Sequence, residues 1–229
     1  MTHPVPKRLS ARRRRSAGFS IMEVLVAGVV SLIVLLGLMA FFDSQQRAYA
    51  AVNSYAQSQN VTRTAIDLIG REIRMSSFDP TLTALTQSPG PTCVNVREGL
   101  PLAMPGLVRL QQDLDGDGLL TSAGEDVMYG QVARQILRWD LGTGGLGVAL
   151  VTGVPANGLQ FTYFDGAVPP NELVPAGSPP MLTQDQRACV EKIQIRIAAE
   201  IDAPHPSMNN LKSVVESGVA IRNRSIGKF

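Results

Sequence analysis

At 229 residues, 45% of them apolar and 17% charged, the chain suits one globular domain plus an anchor, and length alone does not require two domains. Its net charge of +2 is unevenly held: Lys7, Arg8 and Arg12 to Arg15 put six of the 21 basic residues ahead of Phe19, with no acid among them. Taking those six away leaves 15 basic against 19 acidic side chains, or −4, so the positive sign is no argument for nucleic-acid binding and no nucleic-acid partner is expected.

The first element is a basic leader ending in Gly18, then Phe19-Ser20-Ile21-Met22-Glu23, then 19 uncharged residues from Val24 to Phe42. As a helix those 19 rise about 28 Å at 1.5 Å per residue, close to a bilayer core. Secretory signals place a small-residue cleavage site after a shorter apolar stretch. Here the small residue comes first, so cutting after Gly18 would leave the anchor attached. The basic leader keeps the N-terminus on the cytoplasmic side. Glu23 is the anomaly, because a carboxylate inside a membrane helix is costly and marks a functional position by default.

This arrangement resembles the class III signal of type IV pilins and pseudopilins. The resemblance implies that a prepilin peptidase cuts between Gly18 and Phe19 and that the new N-terminal Phe19 is N-methylated. It also implies that Glu23 meets the N-terminal amine of a neighbouring subunit during assembly. An uncleaved signal anchor is the bland alternative.

The helix is expected to continue beyond Phe42, since no proline occurs between Phe19 and Asp79. Tyr55, Gln59, Thr62, Ile66, Ile69 and Ile73 form a stripe at helical spacing, and Asp67 with Arg71 is a favourable i,i+4 pair on the exposed side. Ser76-Ser77 and then Pro80 mark the end. The expected helix has roughly 55–58 residues, apolar all round at first and amphipathic afterwards. Gly28 and Gly37 suit close packing or local unwinding.

Residues 79–110, rich in Pro, Thr, Ser and Gly, read as an irregular connection. Asp126 to Gly130 and Gln135 to Trp139 read as a hairpin, with Gly142 to Gly147 a following turn. Gly158 to Phe164 alternates, Lys192 to Ile201 carries isoleucines on one face, and Ser213 to Arg222 is a final candidate strand. A long helix followed by strands is an α+β pattern, with an antiparallel sheet wrapped on the helix's second half. The expected division is a leader at 1–18, a transmembrane or filament-core half-helix at 19–42, an amphipathic half-helix at 43–78 and a β-rich globular part at 79–229. Arg71-Glu72-Ile73-Arg74-Met75, the Asp-Gly-Asp-Gly loop leading to Glu125-Asp126-Val127, and Ala220-Ile221-Arg222-Asn223-Arg224 resemble PilW-type minor pilins and J-type pseudopilins. The fold this implies is type IV pilin-like.

Asp113-Leu114-Asp115-Gly116-Asp117-Gly118 matches the first half of an EF-hand-type calcium loop, with oxygen ligands at positions 1, 3 and 5 and glycine at 6. Position 12 is Gly124, so a bidentate acid from Glu125 needs a one-residue bulge. The candidate Ca2+ ligands are Asp113, Asp115, Asp117, the Leu119 carbonyl and Glu125, against an ordinary Asp/Gly turn. Cys93 and Cys189 lie beyond the membrane, where disulfides persist, and are either one structural bridge or two buried thiols. His205, between two prolines, reads as surface loop. No nucleophile, phosphate or metalloprotease motif appears, and no enzymatic activity is expected.

The resemblance implies a non-enzymatic minor pilin of PilW type. Such a chain acts in pilus assembly and priming, with roles in adhesion or twitching motility. Its partners would be the prepilin peptidase, minor and major pilins, the assembly platform, a tip adhesin, and membrane lipid before assembly. It would start as a single-pass inner-membrane protein with its globular part in the periplasm, and later reach the pilus and cell surface. The alternatives are a J-type pseudopilin of type II secretion and, from another class, a signal-anchored calcium-binding adhesin or receptor.

Overall fold

The computed structural model describes residues 18–80, 85, 87–88, 96–97, 99–201 and 211–221. The chain divides into two compact units between Ala48 and Tyr49. Helix α1, Ile21–Met75, contributes to both. In the first unit every described residue is exposed, and the apolar stretch is long and apolar enough to cross a membrane.

Within the second unit α1 buries Thr62, Ala65, Ile66, Ile69, Gly70 and Ile73, at the three- and four-residue steps that put side chains on one helix face. Tyr55 and Gln59 of the expected stripe are half-buried, as the stripe weakens toward its start. The helix stops where Ser76 Oγ donates to the Ile73 carbonyl at 2.7 Å and Ser77 enters the left-handed region at φ 67°. Ser77 N–H then leaves the helix and donates to Gln111.

The strands are β1 Gln87–Ser88, β2 Val96–Arg97, β3 Leu102–Met104, β4 Leu107–Gln111, β5 Asp126–Val132, β6 Gln135–Asp140, β7 Val148–Thr152, β8 Leu159–Phe164 and β9 Glu172–Leu173. Helix α2, Gln184–Cys189, precedes β10 Lys192–Ile201 and β11 Leu211–Ala220. All pairings are antiparallel. Among the described residues they form not one sheet but three: β1-β2, the meander β3-β4-β5-β6-β7, and β11-β10-β8-β9. The hairpin of β5 and β6 and the strands over 159–164, 192–201 and 211–220 match the alternation in the sequence.

The expectation that 79–110 is irregular is corrected here. Residues 102–110 supply β3 and all of β4 except Gln111, and β4 alternates between half-buried and buried positions. Pro101, Pro105 and Gly106 frame these short strands and mask their period in the sequence. Strands β7 and β9 and helix α2 are further elements that the sequence reading did not include.

Both larger sheets and α1 share one core. Ile193, Ile195 and Ile197 of β10 lie opposite Tyr163, Phe161 and Leu159 of β8, and all six belong with Ile69, Ile73, Val127, Tyr129 and Ile136 to one buried cluster. Each fully buried side chain of this size contributes about 1.5–3 kcal/mol relative to exposure. The sheets are also joined by polar bonds: Tyr163 Oη donates to the Met104 carbonyl at 2.8 Å, and Phe161 N–H to Pro105 at 2.7 Å. Tyr163 is therefore a core residue, while Trp139 is half-buried on β6.

Candidate functional sites

Gly18, Phe19 and Ser20 precede the first helical turn and are exposed, so the Gly18–Phe19 bond is open to approach. Glu23 sits in that first turn, where its negative charge is favoured by the unpaired N–H groups of a helix start. Its backbone N–H donates to Ser20 at 3.0 Å. Among the described residues its side chain has no hydrogen bond or ion pair. Nothing within 4 Å would meet a Cβ at Gly28 or Gly37, so neither is required by packing inside this chain.

The acidic loop lies between β4 and β5. Asp113 is buried and accepts Gly116 N–H at 2.7 Å through one oxygen and Gly118 N–H at 3.2 Å through the other. Gly116 and Gly118 have φ of 78° and 80°, which lets the backbone curl around that carboxylate. Asp115 accepts Asp117 N–H and the Ser122 hydroxyl, and Asp117 accepts Leu119 N–H at 2.7 Å. The Ser122 hydroxyl bond and then the Asp117 N–H hold the Asp115 carboxyl below its ordinary value.

One carboxylate oxygen from each of Asp113, Asp115 and Asp117 lies within 4.8 Å of the others. Two oxygens bound to one Ca2+ at about 2.4 Å lie no more than about 5 Å apart, so the three aspartates fit a calcium ion. Glu125 is fully buried and turned to another task. Its Oε1 accepts Leu114 N–H at 3.0 Å and its Oε2 accepts Ser122 N–H at 2.8 Å, bracing both arms of the loop. Leu119 is exposed, and its N–H donates to Asp117.

A network that sequence reasoning missed joins this loop to the end of α1. Glu72 Oε1 accepts Arg138 Nε at 3.1 Å and Nη2 at 2.9 Å, while Glu72 Oε2 accepts the Tyr129 hydroxyl. Arg138 Nη1 reaches Asp140 Oδ2 at 3.4 Å, and the same oxygen accepts Gly124 N–H at 2.8 Å. Burial, then the charge of Glu72, pushes the Tyr129 hydroxyl well above its usual range. Burial alone would lower the Arg138 guanidinium, but its hydrogen bonds to Glu72 and the Glu72 charge outweigh that and raise it. The signal was present: Glu72 lies three residues after Ile69 and beside Ile73, on the edge of the buried stripe. Asp113 N–H donates to Phe78 at 2.7 Å, a second tie between loop and helix end.

Cys189 closes α2 and is disulfide-bonded. Cys93, His205, the basic leader and Arg222-Asn223-Arg224 lie outside the described residues. Comparison of the chain with protein-family models, curated proteins and solved structures returned no match.

Proposed function

We infer that this chain is an assembling subunit of the type IV pilin class, a minor pilin of PilW type. One observation carries the reading: a single helix joins an apolar stretch holding one acid, Glu23, to a stripe that packs into a β-rich core. In this reading the leader is removed after Gly18 and Phe19 becomes the methylated N-terminus. An unpaired carboxylate on the membrane-facing part of a helix is costly. Meeting the Phe19 amine of an adjacent subunit offsets that cost and fixes the stagger between helices. The charge therefore favours assembly over dispersal in lipid.

The globular part then faces the periplasm and, after assembly, the surface. Its acidic loop is a Ca2+ site in which Asp113, Asp115 and Asp117 bind directly. Glu125 completes the shell only by giving up its bonds from Leu114 and Ser122 N–H, and the Leu119 carbonyl is the other candidate. Cys93 pairs with Cys189. The partners are the prepilin peptidase, other minor and major pilins, the assembly platform and a tip adhesin.

The test is deletion of the gene, with surface pili and exoprotein secretion measured in the same strain, followed by complementation with Glu23→Ala. Lost pili with intact secretion, unrescued by an expressed and processed Glu23→Ala chain, is the expected outcome. Intact pili with lost secretion would make the chain a J-type pseudopilin. Full rescue by Glu23→Ala would remove the assembly role. Calorimetry of the protein at millimolar calcium, with Asp115→Asn and Asp117→Asn as controls, tests the loop separately.

A further inference from the structure

Connections in a meander alternate between its two ends, so the β4–β5 loop and the β6–β7 turn lie at the same end of the five-stranded sheet. They touch there. Gly124 N–H donates to Asp140 Oδ2 at 2.8 Å, and a Cβ on Gly142 would come within 2.6 Å of the Ser122 carbonyl oxygen and 3.3 Å of that of Leu120. A Cβ on Gly147 would lie 2.5 Å from Trp139 Nε1, so the backbone between Leu146 and Val148 rests on the indole. Leu114 Cδ1 would be 3.5 Å from a Cβ on Gly124. Glycine at 142 and 147 lets two loops and a tryptophan close into one surface.

Much of what is exposed there is apolar. Leu114, Leu119, Leu141, Leu146 and Val148 are five of the ten exposed large apolar side chains outside α1 among the described residues, and Leu146 is 92% exposed. Single exposed apolar residues are ordinary, but a group at one place marks an interaction site. Trp139 is half-buried against Gly147, and a ring so held anchors an interface once its remaining surface is covered. The charges have one sign. Residues 113–125 and 139–152 contain Asp113, Asp115, Asp117, Glu125 and Asp140 and no lysine, arginine or histidine. Arg138 answers Asp140, whereas Asp115 and Asp117 are exposed and reach no basic side chain among the described residues.

We propose that this end of the meander docks a segment of a partner protein that carries apolar side chains flanked by lysine or arginine. The apolar side chains cover Trp139, Leu146 and Val148, and a base of the partner meets Asp115 or Asp117 at the rim. Rim charges add little affinity, but they speed encounter and exclude partners of the wrong sign. An acidic segment and a bare anionic lipid surface are disfavoured for the same reason. The surface lies wholly within the second unit, and the proposal rests on neither the pilin reading nor calcium. Calcium bears on it in one way. An ion held by Asp113, Asp115 and Asp117 takes up the charge offered to the partner, so the two compete.

The test uses the full-length protein in nanodiscs of zwitterionic lipid and a short peptide of alternating leucine and arginine with a photoreactive group at its centre. Crosslinks mapped by mass spectrometry should fall in 113–125 and 139–148 and saturate with peptide concentration. Leu119→Ser and Leu146→Ser, which alter only exposed side chains, should each weaken crosslinking at least about threefold. Asp115→Asn with Asp117→Asn should weaken it about threefold at low salt and little at high salt. A peptide with glutamate in place of arginine, or serine in place of leucine, should not saturate. Crosslinks elsewhere, or crosslinking indifferent to both leucine variants, overturn the proposal. So does calcium-dependent binding of the protein to phosphatidylserine vesicles that Leu146→Ser removes, because that assigns the surface to lipid. Millimolar calcium should weaken the peptide if calorimetry shows that calcium binds, and strengthening overturns the proposal. If calorimetry shows no calcium binding, the peptide should be unaffected, so failure of the calcium reading is separable. None of these readouts involves pili or secretion.

Discussion

Glu23 and Glu72 stand on the same helix, and their surroundings are opposite. Glu72 is almost enclosed and every part of its carboxylate is answered from within the chain, by Arg138 on one oxygen and Tyr129 on the other. Glu23 is exposed on an apolar surface and is answered by no described side chain. The helix around each shows the same contrast. From Ile21 to Ala50 every residue is exposed, although most are large and apolar, whereas from Thr62 onward a narrow stripe is buried against the sheets. A helix apolar on all sides is stable only where something other than water surrounds it. The second half is completed by its own chain, whereas the first half is covered by none of the described residues and is long and apolar enough to cross a membrane.

The sharpest way to break this comparison is to remove the internal answer. Glu72→Ala leaves Arg138 partly buried without its carboxylate and leaves the Tyr129 hydroxyl unpaired. The expected loss is about 3–5 kcal/mol, read by urea unfolding of the protein in detergent. Adding Arg138→Met should recover part of that loss, since the stranded charge is gone. A loss under about 1 kcal/mol for Glu72→Ala would mean that the helix end is not held by this pair.

Next in size is the contrast between the two apolar surfaces. Ile69→Ala and Ile73→Ala each empty a fully buried site and should cost about 2–5 kcal/mol. Leu35→Ala, in the exposed half, should change unfolding of the globular part by no more than about 0.5 kcal/mol. Comparable losses at Ile69 and Leu35 would erase the distinction between the halves.

Tyr129→Phe is a smaller probe that keeps the ring in the core. Removing a hydrogen bond to a charged acceptor should cost about 1.5–3 kcal/mol. It also has a pH signature. Tyr129 and Tyr163 are both raised from the usual 10.0, chiefly by burial, so the folded state holds their protons more tightly than the unfolded chain does. Their contribution is fully present below pH 10 and is lost as pH rises beyond it. Stability of the wild-type protein should therefore fall on the alkaline side, and Tyr129→Phe should flatten that fall. An equally steep fall in the variant would show that Tyr129 does not titrate with unfolding.

How far these contrasts could be read from the sequence depended on the range of the signal. The helix was legible because it depends on local period and on the absence of proline, and its end followed from Ser76, Ser77 and Pro80. The strand at Lys192 to Ile201 was legible because isoleucines alternate with Lys192, Gln194 and Arg196. β3 and β4 were obscured by the prolines and glycine around them, and the split into two larger sheets depends on pairing between distant segments. The three aspartates could be grouped from spacing alone. The bracing role of Glu125 could not, because its bonds are to backbone N–H groups of Leu114 and Ser122 brought together by the loop. Glu72 was quoted within a helix-end pattern, but its partners Arg138 and Tyr129 come from strands whose placement no local pattern specifies.

The smallest effect tests the boundary between the two regions. Asp43 follows the apolar run directly and pairs with Arg47 one turn later, with both side chains about half exposed. The acid precedes the base, which is the favourable order on a helix, but water and salt screen the pair. Asp43→Asn should therefore cost about 0.3–0.5 kcal/mol at low salt and nothing measurable at high salt. Such a loss in the isolated protein would place this turn of the helix in water. A cost above about 1 kcal/mol that persists in salt would mean that this turn is already enclosed, and that the exposed half of the helix ends before Asp43. The expected outcome leaves Asp43 and Arg47 as screened charges on the same uncovered surface as the apolar run they follow.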